Sequence, residues 1–279
     1  MPPASLHWPI SQTDVADARA AARCVVETHH RLAEWLRVGT TLPAIDQFVA
    51  ACLDRLTCRS AFLGYRVHRS PAFPSHACLS VNDCVVHGTA GSLSRPLISG
   101  DVLKVDVGVI HRGWVGDAAW TYVFGPGPID PVTRRLMDCG KEALRRGVRQ
   151  LRPDLTYLAW ARAVQEHVEH ECHFHLIRGL GGHGYGRKLH QPPFVANIVP
   201  AYPGEWPEGA LPCRPGTLLA VEPMIAVGTG QTRQVGREWP IYTADGSLSV
   251  HYEHDVLVTD GDPEVLTSGL EQLPDVVGA

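Results

Sequence analysis

The chain contains no apolar run close to the roughly 20 residues that a bilayer-spanning helix needs. It also has no long block of one charge. Its 25 Lys and Arg stand against 29 Asp and Glu, a formal net charge of −4. The basic stripe that a nucleic acid or an anionic membrane would require is therefore missing. Lysine is scarce, so the basic charge is almost all arginine, which reflects composition rather than function. The eight cysteines (Cys24, Cys52, Cys58, Cys78, Cys84, Cys139, Cys172 and Cys213) form no CxxC pair and no secreted-scaffold spacing. They read as free cytosolic thiols. The opening residues MPPASLHWPI have neither the basic start nor the apolar core of a signal peptide. The expectation is a cytoplasmic protein with no membrane or nucleic-acid partner. No heptads and no broad apolar surface stripe appear, so a monomer is expected. What is present is 44% apolar and 19% charged residues over 279 positions, enough to bury a large core.

Periodicity predicts helices over 13–38, from Thr41-Leu42-Pro43 to about Leu56, over 131–151 and over 157–172. Val- and Ile-rich stretches predict strands within 76–90, 101–124, 217–228 and 240–260. GPGPIDP at 125–131 is a break, and the Pro/Gly-rich stretch 200–216 is a surface loop. The order is helices, strands, helices, strands. It repeats by element but not by residue, and implies an α+β fold.

The stretch "KVDVGVIHRGWVGDAAW", Lys104 to Trp120, holds two carboxylates in an apolar setting. His111-Arg112-Gly113 fits a three-residue hairpin loop, a type I turn closed by a left-handed glycine. Such a hairpin brings Asp106 and Asp117 close together on roughly one face. Two like charges there require a shared proton or a bound cation. Glu222 in "TLLAVEPMIAVG" and Glu253 in "SVHYEHDVLVTD" also sit in apolar runs that read as buried strands, where a carboxylate needs a partner. His183 lies in "GLGGHGYG", whose glycines allow close approach. Four carboxylates and one histidine form a hard donor set suited to divalent Mn, Fe, Co or Zn, not to a thiolate zinc site.

Five pieces in order, "LSVNDCVVHG", "GDVLKVDVGVIHRGWVGD", "GGHGYGRKLHQPP", "VEPMIAVG" and "LSVHYEHDVLVTD", resemble a type I methionine aminopeptidase. The resemblance spans about residues 12–265. It implies the pita-bread metallopeptidase fold: a pseudo-two-fold antiparallel sheet with helices covering one face. The implied organisation is an N-terminal leader (1–11), one catalytic domain (12–265) and a C-terminal tail (266–279). It further implies that Asp106, Asp117, His183, Glu222 and Glu253 bind two divalent ions (Co, Mn, Fe or Zn), with Asp117 and Glu253 bridging. Glu222 is then the proton shuttle for an activated hydroxide. His87 contacts the scissile amide nitrogen, and His190 polarises the carbonyl. Phe62, Tyr65, Phe73, Cys78 and Trp239 are expected to wall the methionine pocket. The implied partners are peptides or nascent chains with a free N-terminal Met, and a transient ribosome contact.

Four features depart from the family pattern: Leu189 before His190, where Phe is usual; Gln191 after it; a longer segment "YRVHRSPAFPSH"; and the long loop 200–216. All are expected near the substrate rather than the metals, and so bear on the strictness of methionine selection. Two motifs are decoys. "GLGGHG" matches a dinucleotide fingerprint, but the prolines of "RKLHQPP" forbid the helix that motif needs. "EHVEHECHFH" suggests zinc through His167, His170, Cys172, His173 and His175, but matches no closed four-ligand spacing. The competing functions are an X-Pro peptidase or a peptide-tailoring hydrolase on the same fold, and a non-catalytic binding module. Only about 105 residues precede Asp106, little room for the extra domain of X-Pro enzymes, and all five ligand positions are filled.

Overall fold

The structure, a computed structural model, describes residues 11–67 and 70–278. Of the expected leader only Ser11 lies among the described residues. Ser11 opens α1 (Gln12–Trp35) with a reciprocal capping box, its hydroxyl accepting from the Asp14 N–H while the Asp14 carboxylate accepts from the Ser11 N–H. Thr41 caps α2 (Leu42–Arg55) in the same sense, accepting from the Ala44 N–H.

Strands β1 (Arg59–Ser60), β2 (Cys78–Val81) and β3 (Cys84–Val86) lead into the long hairpin of β4 (Val102–His111) and β5 (Trp114–Phe124). Its turn is shorter than expected. His111 pairs with Trp114, leaving a two-residue loop in which Arg112 (φ 51°) and Gly113 (φ 79°) are both left-handed. A two-residue loop of this kind matches the right-handed twist of its strands, whereas a type I turn alone would splay them.

The second half repeats the order. α3 (Pro131–Val148) is capped by Asp130, and α4 (Tyr157–Gln165) runs into a wider π-helical turn, Glu166–Glu171. Then come β6 (His175–Leu176), β7 (Gly181–Gly184), β8 (Gln191–Ala196), β9 (Leu218–Val221), β10 (Met224–Ala226), β11 (Thr232–Gln234), β12 (Ile241–Thr243), β13 (Ser249–His251), β14 (His254–Leu257), β15 (Glu264–Val265) and β16 (Val276–Val277). β7 and β8 were not expected, because glycine and proline weaken strand signals.

The strands form four small sheets, β1-β4-β5-β16 with β2 also on β4, β13-β10-β6, β11-β12-β3 and β15-β14-β9-β7-β8, antiparallel except for β16 on β5. α1 packs on β4 and β5, and α3 on β10 and β13. The first contact is close. A Cβ on Gly116 of β5 would come within 2.7 Å of the Ala21 backbone, and Ala18, Ala21 and Ala22 are fully buried. Residues 266–278, the expected tail, run back over this half. Asp275 accepts from Arg134 and Lys141, His30 hydrogen-bonds the Gly269 carbonyl, and Val277 is buried beside β5. No helix among the described residues is long and apolar enough to cross a membrane.

Two ladders share one register. Val221 faces His254 and Met224 faces His251. That register sets Glu222 opposite Glu253, and Pro223 opposite Tyr252, at the point where both strands break. The two carboxylates therefore occupy interruptions between strands rather than the continuous buried strands expected.

Candidate metal centre

β4 and β5 deliver the first two acids. Asp106 opposes Ala119 and Asp117 opposes Gly108, so the two aspartates are diagonal neighbours on one face. The second pair arrives from the interrupted hairpin. The Glu253 N–H donates to the Ala119 carbonyl at 2.9 Å, and the Thr121 hydroxyl donates to the His251 carbonyl at 2.7 Å. These bonds join the second hairpin to β5, so all four carboxylates face a common space.

No charged group among the described residues offsets this concentration of acid. Burial, then the Glu222 charge, pushes Asp106 up to about 8, and burial pushes Glu222 up to about 8. Burial and the neighbouring carboxylates push Asp117 and Glu253 well above the ordinary range. Asp106 Oδ1 and Asp117 Oδ1 are buried without a hydrogen-bond partner. Orphaned carboxylate oxygens cost free energy unless a cation or proton satisfies them.

His183 supplies the nitrogen. Its Nδ1 lies 3.1 Å from the Gly184 carbonyl, which can only accept. The ring proton is therefore on Nδ1, and the Nε2 lone pair is free. Nε2 lies 3.8 Å from Asp117 Oδ2, too far for a hydrogen bond and suited to two ligands of one ion. Burial, then the nearby His190, lowers His183 to about 3, so the ring is neutral as a metal ligand must be. Donor atoms of Asp117, His183 and Glu253 lie within 4.8 Å of one another, as do those of Glu222, His251 and Glu253. The two sets share Glu253. Asp106 falls outside both sets but lies against Asp117.

The same space opens into a cavity of about 130 Å³. It is lined by the five acid and histidine donors, by His87 and His190, and by Phe62, Tyr65, Phe73, Cys78 and Trp239, so every residue expected to bind metal or substrate borders it. The aromatic wall is ordered by edge-to-face contacts. Phe73 meets Phe62 at 6.2 Å and Trp239 at 5.2 Å, and His87 meets Trp239 at 6.0 Å. His87 is held in the left-handed region (φ 57°), a strained conformation for a non-glycine residue. Burial first, then His251 and His190, lowers it to about 4. His190 sits at the exposed rim with Nδ1 2.8 Å from the Tyr65 hydroxyl, and its ring lies tilted against His183, centroids 4.1 Å apart.

Two residues were missed. His251 lines the cavity, and its Nε2 lies 3.0 Å from Glu222 Oε2 and 3.9 Å from Glu253 Oε2. Asp255 accepts the Asp117 N–H at 2.9 Å and thereby positions it. Alternation through "SVHYEHDV" puts 251, 253 and 255 on one face, a signal available in the sequence. Of the four departures, Leu189 lines the cavity, and Gln191 turns away to donate to the Tyr185 carbonyl at 3.1 Å. Within the longer segment, Val67 lines the cavity, while residues 68–69 lie outside the described residues. The loop 200–216 contributes nothing to the cavity. It anchors elsewhere, with Trp206 Nε1 donating to the Phe194 carbonyl at 3.0 Å.

Residues 16–260 match the family model for metallopeptidase family M24. The chain is 34% identical to the methionine aminopeptidase of Aquifex aeolicus, covering 92% of this chain and 97% of that protein. It is also 34% identical to methionine aminopeptidase 1 of Mycobacterium tuberculosis, covering 91% and 92%. The crystal structure of methionine aminopeptidase from Thermotoga maritima superposes with a TM-score of 0.82 at 29% identity, over 92% of this chain and 98% of that one. The arrangement of helices and antiparallel sheets is the pita-bread architecture of those proteins.

Proposed function

The chain belongs to metallopeptidase family M24, and on that premise we propose that it is a methionyl aminopeptidase, removing the N-terminal methionine from peptides and nascent proteins. The observation that carries the reading is the donor cluster itself. Four carboxylates, Asp117 and Glu253 buried and Asp106 and Glu222 partly buried, converge without a cationic partner on a neutral imidazole whose Nε2 lone pair is free. Asp106, Asp117, His183, Glu222 and Glu253 would hold two divalent ions of the Co, Mn, Fe or Zn type, with Asp117 and Glu253 shared. When bound, such ions polarise a carbonyl and bring the pKa of water down to about 7.

The remaining chemistry falls to the chain's own residues. Glu222 borders the cavity with His251 Nε2 held 3.0 Å away, and it receives the proton of the attacking water and passes it to the leaving amine. His87, neutral at physiological pH, hydrogen-bonds the scissile amide nitrogen. His190 Nδ1 lies 2.8 Å from the Tyr65 hydroxyl, and in the tautomer with the ring proton on Nε2 that proton stabilises the carbonyl oxygen as charge develops. Phe62, Phe73, Cys78 and Trp239, with the Tyr65 ring, enclose the unbranched thioether side chain. The catalytic unit is residues 12–265, acting as a cytoplasmic monomer that meets nascent chains by transient contact with the ribosome.

The test is a peptide panel varying the first two residues, assayed with Mn, Fe, Co and Zn separately. Met-Gly-type peptides are expected to turn over fastest, and faster X-Pro cleavage would reject the assignment. Asp117→Ala and Glu253→Ala should each abolish turnover and lower metal content while the fold remains. Full rate and full metal content in Asp117→Ala would show the ligand set to be wrong.

A further inference from the structure

A second constellation of metal donors lies among the helices, and none of its members lines the catalytic cavity. The sequence offered two of its members, His167 and Cys172, in a motif set aside as a decoy because the third ligand, Cys139, is remote. Of the five candidates in "EHVEHECHFH", His170, His173 and His175 point to solvent. His167 is buried and Cys172 half-buried, and Cys139 of α3 meets both from the side. Cys139 Sγ, His167 and Cys172 Sγ offer donor atoms within 4.8 Å of one another.

The backbone builds this site. The π-helical turn is closed by the Cys172 N–H donating to the His167 carbonyl at 2.9 Å, a bond to the fifth residue back. In an α-helix the residue over His167 would be 170 or 171. The extra residue in the turn brings Cys172 to His167 as well, beside Glu171. Such bulges recur at functional sites.

The imidazole is oriented as a ligand. Its Nδ1 lies 2.9 Å from Glu171 Oε2, and the other Glu171 oxygen is held by Arg146 at 2.6 Å. A carboxylate on the far nitrogen puts the proton there and leaves Nε2 as donor, the usual arrangement of a metal-binding histidine. Nε2 lies 3.6 Å from Cys172 Sγ. Tetrahedral zinc, with bonds of about 2.3 Å to sulfur and about 2.0 Å to nitrogen, separates those two ligands by roughly 3.6 Å.

We propose that Cys139, His167 and Cys172 form a second metal site that takes one Zn²⁺ or a similar thiophilic divalent ion, with water in the fourth position and α3 pinned to the end of α4. The half-buried Cys172 supplies the entry path. The other half of the fold has a related cysteine pair, Cys24 on α1 and Cys58 after α2, with His111 Nδ1 3.5 Å from Cys58 Sγ. That imidazole has no carboxylate partner among the described residues, so the pair serves as the control.

The experiment titrates Co²⁺ into the reduced full-length protein and follows the thiolate-to-cobalt charge-transfer absorption. The wild type is expected to develop the band, Cys172→Ser to lose most of it, and Cys58→Ser and Cys78→Ser to keep it. Peptide hydrolysis by Cys172→Ser should stay within about twofold of wild type, which separates this site from the catalytic one. No band in the wild type, or an undiminished band in Cys172→Ser, would overturn the proposal. Alkylation of the wild type gives a reading that depends on no variant. Zn²⁺ should protect the half-buried Cys172 from iodoacetamide, and a chelator should remove the protection. Equal labelling with and without Zn²⁺ would also overturn it.

Discussion

Gly108 offers a direct way to probe the aromatic wall without touching a metal ligand. It lies in β4 opposite Asp117, on the face that carries both aspartates. An added Cβ would sit 2.4 Å from Phe62 Cε1 and 2.8 Å from Phe62 Cζ. Carbon atoms pack at about 3.5–4.0 Å, so in Gly108→Ala the Phe62 ring must retreat by roughly 1 Å or more. Phe62 abuts Phe73, which abuts Trp239, so the displacement narrows a cavity of only about 130 Å³. Overpacking of this kind costs about 1–3 kcal/mol. Expressed in substrate binding, that is roughly five- to 150-fold in kcat/KM for a Met-Gly-type peptide, chiefly through KM. The assays are steady-state kinetics, urea unfolding and metal content on the same preparation. Metal content should be unchanged, and the midpoint of unfolding should fall. Wild-type kinetics and wild-type stability together would refute the reasoning, because the added methyl group would then have found room the geometry does not contain.

His190→Ala should lower kcat by about 10²–10³ with metals retained, the effect of removing one donor to a developing oxyanion; loss of metal instead would make His190 a ligand. Tyr65→Phe removes the hydroxyl 2.8 Å from His190 Nδ1, and should cost about two- to tenfold in kcat, the worth of one neutral hydrogen bond. His29, fully buried, lies 3.2 Å from the Ala118 carbonyl through Nε2 and 2.9 Å from the Tyr122 hydroxyl through Nδ1. The carbonyl only accepts, so Nε2 carries the proton and Nδ1 takes the hydroxyl's. Burial lowers this histidine from 6.5 to about 4. The unfolded state therefore binds the extra proton first, and stability should fall as pH drops from about 6.5 to about 4, by on the order of 3 kcal/mol, then level off. In His29→Gln that contribution to the pH dependence should be missing from urea unfolding curves. An identical pH dependence in the variant would mean that His29 titrates normally.

Local chemistry made the helices readable. Helical spacing and the Thr41-Leu42-Pro43 start were legible in the sequence, whereas the caps at Ser11 and Asp130 are seen only in the structure, although capping satisfies N–H groups within a few residues of sequence. The hairpin pairing of Asp106 with Asp117 was legible for the same reason, since eleven positions and one turn decide which face each occupies. The turn itself was misread by one residue, because the sequence His-Arg-Gly suits either loop and the twist of the strands chooses. β7 stayed hidden because its glycines make room for neighbouring backbone, an advantage seen only once Ala220 and Pro192 lie against them, and β8 because its two prolines weaken a strand signal. Glu222 and Glu253 were recognised as acids in apolar surroundings, yet only the ladder shared by β9, β10, β13 and β14 shows that they face each other where those strands break. The aromatic wall was named only through the resemblance, and of the Cys139–His167–Cys172 cluster the sequence offered His167 and Cys172 but not the remote Cys139, which the tertiary structure supplies. Residue type and short-range periodicity state what each side chain needs: a cap, a partner, a dry face. Which distant group meets that need is decided by the packing of the helices on the sheets, because contacts between residues far apart in sequence leave no local signal in the chain.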